Sequence, residues 1–226
     1  HGVVELFAQK LAEHGYTWFD FPKEDGEKML DEAIEAYAVT YGGTILYSSA
    51  RNQYLLKRIR RILGRTVRTL QIQLQKGSFL PEHFEMSFSM LEDLDAVNIA
   101  LTGQEKMKLR GRIDRIDTCE EEDTVYVKVI DYKSGNRKFD LAALYYGLQL
   151  QLVVYMNAAV EIEQKKHPEK KVVPAAMLYY HIADPMIEDG QELTPEQLNR
   201  KILQELKTTG IVNSDDRAVS LLDKEL

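Results

Sequence analysis

Two alternating runs, GRIDRID from residue 111 and TVYVKVIDYK from residue 124, flank the acidic turn CEEED. Period-two alternation on both sides of a polar turn is the pattern of an antiparallel β-hairpin. The strongest constraint on the fold is that Asp114, Asp131 and Lys133 sit inside these runs, among apolar residues, where a charge is costly to bury unpaired. Asp131 and Lys133 are two residues apart, so both project from one face, about 7 Å apart along the strand. On the partner run Asp114 shares its face with Arg110 and Arg112, while Leu109 and Ile113 point the other way. Pairing around residues 118 to 123 brings Asp114 opposite the region of Asp131. Two carboxylates that close repel, and either salt bridges within the hairpin or a divalent cation can relieve the repulsion. Mg²⁺ takes oxygen ligands, often one or two carboxylates with phosphate and water. A lysine beside such a pair can polarise or deprotonate a water aimed at phosphorus. For an isolated D-x-K triplet the salt bridge is the better explanation, because such triplets are common by chance. Here an upstream aspartate on the adjacent strand, and a helix with buried polar groups directly after, weaken that explanation.

Around this hairpin the chain reads as helices first and strands later. Val3, Val4, Phe7 and Leu11 recur at helical spacing, and EDGEKMLDEAIEAYAVTYG repeats the pattern before a Gly-Gly stop. Residues 51 to 76 continue it, with Leu55, Leu56, Ile59, Ile62, Leu63, Val67 and Leu70 as the expected buried stripe. FEMSFSM and KMKLRGRIDRID then alternate as strands. DLAALYYGLQLQLVVYMNAAVEIEQ is too long for a strand and reads as one mostly buried helix, with Tyr145 and Tyr146 in the core. VVPAAMLYYHI is a strand, and TPEQLNRKILQELKTTG opens on a Thr cap with Pro at the first helical position and closes at Gly210. The 226 residues, 44% hydrophobic, suffice for one good core, so one domain with helical additions is expected. The chain has no run long enough to span a bilayer and no basic-then-apolar leader, which reads as a soluble, cytoplasmic protein. Cys119, expected in the hairpin turn, is the only cysteine, which excludes a disulfide framework or a cysteine-built metal site within these residues.

The net charge of −7 argues against nucleic acid as a partner when taken alone, since phosphate binding rests on clustered Lys and Arg. The average hides a local excess. Between Arg51 and Lys76 stand eight basic residues and no Asp or Glu, while the acids collect in the first forty residues, the hairpin turn and the C-terminal part. A solvated face explains most charge runs. Eight like charges repel unless a polyanion compensates, which favours a DNA-backbone contact through Arg58, Arg61 and Arg65. Arg110 and Arg112 could steady phosphate, or pair with Glu85 or Asp131. His14, His83, His167 and His181 show no ligand spacing.

GRIDRID, VIDYKSG and YYGLQLQLVVY together resemble the nuclease domain of the RecB family within the PD-(D/E)xK superfamily, and the AddB-type branch in particular. The resemblance covers most of the chain and is densest between residues 109 and 155. It implies an α/β, restriction-endonuclease-like mixed sheet flanked by helices, with an N-terminal helical region over residues 1–78 packed on a nuclease core over 79–226. It implies metal-dependent hydrolysis of DNA phosphodiesters during end resection at double-strand breaks, with Mg²⁺ or Mn²⁺ as cofactor and an AddA-like helicase–nuclease subunit as partner. By the same resemblance Asp114 and Asp131 are metal-binding aspartates, Lys133 is the lysine of the motif, and Tyr132 offers a backbone carbonyl. Gln151 and Tyr155 match the Q-x-x-x-Y signature, with Gln151 beside the site and Tyr155 toward DNA. His1, opening a helix, resembles the family's metal-binding histidine. A first-position His could equally be a tag remnant, and the similarity of HGVVELFAQKL around it favours the native reading. The AddB-type iron–sulfur cluster needs one cysteine before the core and three after it; that set is missing, as is the helicase-like part, so the chain looks like an excised domain. The rival reading is a non-cleaving DNA clamp or subunit-docking module of the same fold.

Overall fold

The computed structural model describes residues 1–42, 49–87, 98–100, 106–108, 111–135, 138–187 and 193–225. Arg110, Leu109 and the second half of FEMSFSM lie outside them. The elements run α1 (Gly2–Glu13), α2 (Lys23–Gly42), α3 (Ala50–Lys76), β1 (Leu80–Ser87), β2 (Asn98–Ala100), β3 (Lys106–Lys108), β4 (Arg112–Glu120) and β5 (Thr124–Lys133). They continue with α4 (Leu141–Tyr145), α5 (Gln151–Lys166), β6 (Lys171–His181), α6 (Pro195–Glu205), β7 (Thr209–Val212) and α7 (Asp216–Leu222). Two compact units result: His1–Gln75 with His181–Lys207, and Lys76–Tyr180 with Thr208–Leu226. Residues 181 to 207 cluster with the N-terminal helices.

The first unit is helical. Val3, Val4, Phe7 and Leu11 form the buried stripe of α1, as their spacing demands. Phe7 meets Trp18 and Phe21 edge-on, at centroid separations of 5.4 and 5.5 Å, an arrangement that suits the quadrupoles of the rings. α3 packs from Leu63 onward through Val67, Leu70 and Leu74. Leu55 and Ile59, expected in the same stripe, are 42% and 43% exposed. Buried Gln71 is satisfied by donating to the Phe21 carbonyl at 2.9 Å. α6 begins with the expected Thr194 cap, completed by Gln197 into a capping box.

The second unit is a five-stranded sheet in the order β1-β4-β5-β6-β7, with the two-stranded ladder β2-β3 separate from it. β1–β4, β4–β5 and β6–β7 pair antiparallel. One face buries Ile116, Val125, Val127 and Val129 against Leu152, Tyr155, Met156, Ala158 and Ala159 of α5. The other packs Cys119, Tyr126 and Ala175 with Phe79 and with Ala218 and Leu221 of α7. Burial on both faces leaves β4 and β5 with few exposed positions.

Several local expectations change. The long helix after β5 is two helices, because Gly147 takes a left-handed φ of 76° between α4 and α5. The segment around it turns outward, leaving Tyr145 and Tyr146 83% and 75% exposed rather than in the core. KMKLRGRIDRID is divided between β3 and β4. Cys119 lies on β4, buried, and not in the turn. α6 stops at Glu205, and Gly210 belongs to β7, which tertiary pairing with β6 creates. A Cβ at Gly210 would stand 2.0 Å from the Met177 carbonyl oxygen, so the close approach of the two strands requires glycine there.

Candidate active site

β4 and β5 pair from Arg115 opposite Ile130 to Glu120 opposite Val125. One step beyond Arg115 and Ile130, the same register sets Asp114 against Asp131. Both carboxylates are buried, at 8% and 2% exposure. Asp114 accepts a hydrogen bond from the Tyr132 backbone N–H at 2.7 Å, which ties its side chain across the strand boundary. Lys133 forms an ion pair with Asp131. Its ammonium also donates to Gln151 Oε1 at 2.9 Å and lies 5.1 Å above the Tyr179 ring. Gln151 stands at the first turn of α5, and its amide donates to the Tyr155 hydroxyl at 2.7 Å. Asp131, Lys133, Gln151 and Tyr155 therefore form one chain of contacts running from β5 into α5, and Asp114 adjoins it from β4. Two carboxylates and one ammonium leave a formal charge of −1, and the donors are hard oxygens, so the residues fit a hard divalent cation such as Mg²⁺ or Mn²⁺.

The remaining sequence candidates have surroundings of their own. The Tyr132 side chain is buried on the opposite face of the strand, where its hydroxyl accepts from Arg115 at 3.2 Å, so only its backbone is near the carboxylates. Tyr155 is 6% exposed and belongs to the core under α5. Burial pushes its hydroxyl pKa up, with the Gln151 contact acting against that shift. Arg112 is exposed and donates to Glu85 at 2.9 Å, the structural one of its two alternatives. His1 caps the start of α1 in the first unit and is exposed. Arg58 is exposed on α3. Acids within its own unit neutralise part of the basic helix. Arg60 pairs with Asp31 at 2.5 Å and approaches Glu35 at 3.6 Å, and Arg61 and Arg65 both engage Asp184. The argument that this run needs a polyanion is overturned to that extent, because partners remote in sequence supply the compensation.

Sequence reasoning missed a second charged cluster on the reverse of the same hairpin. Arg115 grips Asp117 through two hydrogen bonds of 2.5 and 2.6 Å, and Lys128, directly opposite Asp117, donates to it at 2.9 Å. Burial works against the Asp117 carboxylate, but Arg115 and Lys128 outweigh it and hold its pKa below the usual range. Lys128 is pushed down by burial, with Asp117 only partly offsetting it. The Lys128 ammonium also sits 4.7 Å over the Phe79 ring. Strand alternation could have shown Arg115, Asp117 and Lys128 to share a face. Tyr179, beneath Lys133, carried no comparable signal, because it is apolar in composition and comes from a strand not adjacent in sequence.

The fold and the paired aspartates with their lysine define a nuclease class. The description "PD-(D/E)XK nuclease superfamily" matches residues 1–217, and the chain belongs to that family. Among curated proteins it is similar to the B subunit of the ATP-dependent helicase/deoxyribonuclease of Clostridium acetobutylicum, 36% identical over 226 residues, covering 100% of this chain and 20% of that protein. The protein of the same name from Lachnoclostridium phytofermentans is 40% identical over 227 residues, covering 99% of this chain and 18% of the relative. That from Alkaliphilus metalliredigens is 35% identical over 227 residues, covering 100% of this chain and 20% of the relative. The chain spans about a fifth of the length of the curated relatives it matches. Among the described residues no helix is long and apolar enough to cross a membrane.

Proposed function

We propose that this chain is the metal-dependent deoxyribonuclease domain of a larger helicase–nuclease subunit, hydrolysing DNA phosphodiester bonds during resection of double-strand break ends. The observation that carries the reading is the set on one face of the hairpin: Asp114 and Asp131 on adjacent strands, both buried, with Lys133 bonded to Gln151 beside them. Asp114 and Asp131 hold Mg²⁺ or Mn²⁺, with the Tyr132 carbonyl as a further donor. His1 is a further donor to this set, as the family resemblance implies. When bound, such a cation polarises a phosphoryl oxygen and lowers the pKa of the attacking water.

The chain's own residues do the rest. Lys133, held between Asp131 and Gln151, presents an ammonium that orients the water and steadies negative charge developing at phosphorus. Gln151 fixes that ammonium and faces the scissile strand, and buried Tyr155 locks the Gln151 rotamer. Tyr155 thus acts on DNA through Gln151. Arg112, exposed at the start of β4, and Arg58, Arg61 and Arg65 on α3 contact the DNA backbone, the last two by exchanging Asp184 for phosphate. The name shared by the relatives supports an AddA-like helicase–nuclease subunit as partner. The test is cleavage of linear single-stranded and duplex DNA with Mg²⁺ by the wild-type chain and by Asp131→Ala. Cleavage that survives the substitution refutes the mechanism. DNA binding without cleavage by the wild type supports the clamp instead.

A further inference from the structure

On the α5 side of the sheet, at the end remote from Lys133, a cleft of 410 Å³ is lined by Glu82, Glu163, Lys166 and His167. Glu82 and His83 are consecutive on β1, and in a regular strand they would point to opposite faces. The register of β1 on β4 shifts between Pro81 and His83, a bulge that re-aims the side chains there. Both reach Glu163 on α5. His83 Nε2 lies 3.8 Å from Glu82 Oε1 and 3.8 Å from Glu163 Oε1. Glu163 is fully buried, yet neither carboxylate oxygen makes a hydrogen bond among the described residues, and neither does buried His83 Nε2. His167 Nε2 and Lys166 Nζ stand off Glu163 Oε2 at 3.8 and 3.9 Å. A buried carboxylate left in this state is a poor structural element and a good ligand.

We propose that Glu82, His83 and Glu163, with His167 at the rim, form a divalent-cation site for a borderline first-row ion, Zn²⁺ before Mg²⁺, that clips β1 to α5. The three ligand atoms already lie within 4.8 Å of one another. Zinc bonds of about 2.0–2.2 Å place tetrahedral ligands roughly 3.3 Å apart, so closing the site needs His83 to approach each carboxylate by about 0.5 Å and the two carboxylates to approach each other by about 1.5 Å at most. Imidazole with carboxylate selects Zn²⁺ over Mg²⁺, which favours oxygen alone. Thr118 donates to Glu82 Oε2 at 2.7 Å and leaves Oε1 toward the cluster, the kind of outer hydrogen bond that orients a ligand. Burial pushes the pKa of the His83 ring down, with Glu82 acting against that shift. The present occupant of Glu82 Oε1 is Lys166, whose side chain is 48% exposed and free to withdraw into solvent. From Gln151 to Glu163 the helix advances twelve residues, about 18 Å, so this site is separate from the aspartate pair.

The test is equilibrium dialysis of the whole chain against Zn²⁺ alone in excess Mg²⁺, with bound metal counted by mass spectrometry. About one Zn²⁺ per chain is expected for the wild type and for Asp131→Asn, and a loss of affinity of about tenfold or more for Glu163→Gln and, independently, for the half-buried His83→Gln. Lys166→Met, which removes the competing ammonium, should bind Zn²⁺ more tightly than the wild type. Circular dichroism and melting in chelator confirm that each variant is folded. Stoichiometric zinc retained by both Glu163→Gln and His83→Gln, zinc lost only in Asp131→Asn, or no stoichiometric zinc at all would each overturn the proposal. Because Asp131→Asn separates the two sites, failure here leaves the nuclease reading intact.

Discussion

The two faces of the β4–β5 hairpin carry charged trios of opposite character, one residue out of phase. On one face Arg115, Asp117 and Lys128 make a closed set, in which a single carboxylate is gripped by a guanidinium and an ammonium with distances of 2.5 to 2.9 Å. On the other, Asp114, Asp131 and Lys133 reverse the ratio, with two carboxylates to one ammonium. The first trio has no role for a cation; the second has a formal deficit that one relieves. Alternation along two strands is therefore enough to place two charged networks back to back, and the sign of the surplus charge tells them apart.

Substitutions on the two faces should separate these roles. The largest effect is expected for Asp131→Asn, which should slow Mg²⁺-dependent DNA cleavage by about a thousandfold or more, near 4 kcal/mol of barrier, while shifting the urea midpoint little. Comparable loss of stability in this variant would break the contrast. Next, Asp117→Ala leaves Arg115 and Lys128 buried without their shared carboxylate, and should cost about 3 kcal/mol in urea unfolding. A smaller effect follows from acid. The folded pKa of Asp117 is depressed, so its contribution to stability is present above the unfolded carboxylate value, about 4, and fades as pH falls below that through the folded value. The drop in urea midpoint over this acid range should be shallower in Asp117→Asn than in the wild type. The smallest effect is Tyr155→Phe, which frees the Gln151 amide and should reduce cleavage by about fivefold, roughly 1 kcal/mol of barrier, with kcat falling more than KM rises. A change confined to KM would instead make Tyr155 a plain binding group.

The geometry of the candidate face was legible because its information is local. Period two fixes Asp131 and Lys133 on one side, the acidic turn fixes the register, and the register delivers Asp114. The Q-x-x-x-Y spacing likewise fits the bond from Gln151 to Tyr155 one helical turn on. What could not be read arises from pairings distant in sequence. Nothing in the basic run announces that Asp31 and Asp184 will meet Arg60, Arg61 and Arg65. Glu82 and His83 become neighbours of Glu163 only through a bulge and a helix that folds back over it. The helix expected across Gly147 failed for a different reason, since YYGLQLQ has helical composition throughout and only the left-handed glycine divides it.

The ladder between β6 and β7 begins with Tyr179 opposite Thr209. Residues 181 to 207 thus leave the sheet and rejoin it through a single doorway, and their ends are already stitched together by backbone pairing. A short reverse turn spliced across that doorway would keep β4, β5 and the rest of the sheet, a stripped-down scaffold for asking how little protein the proposed chemistry needs.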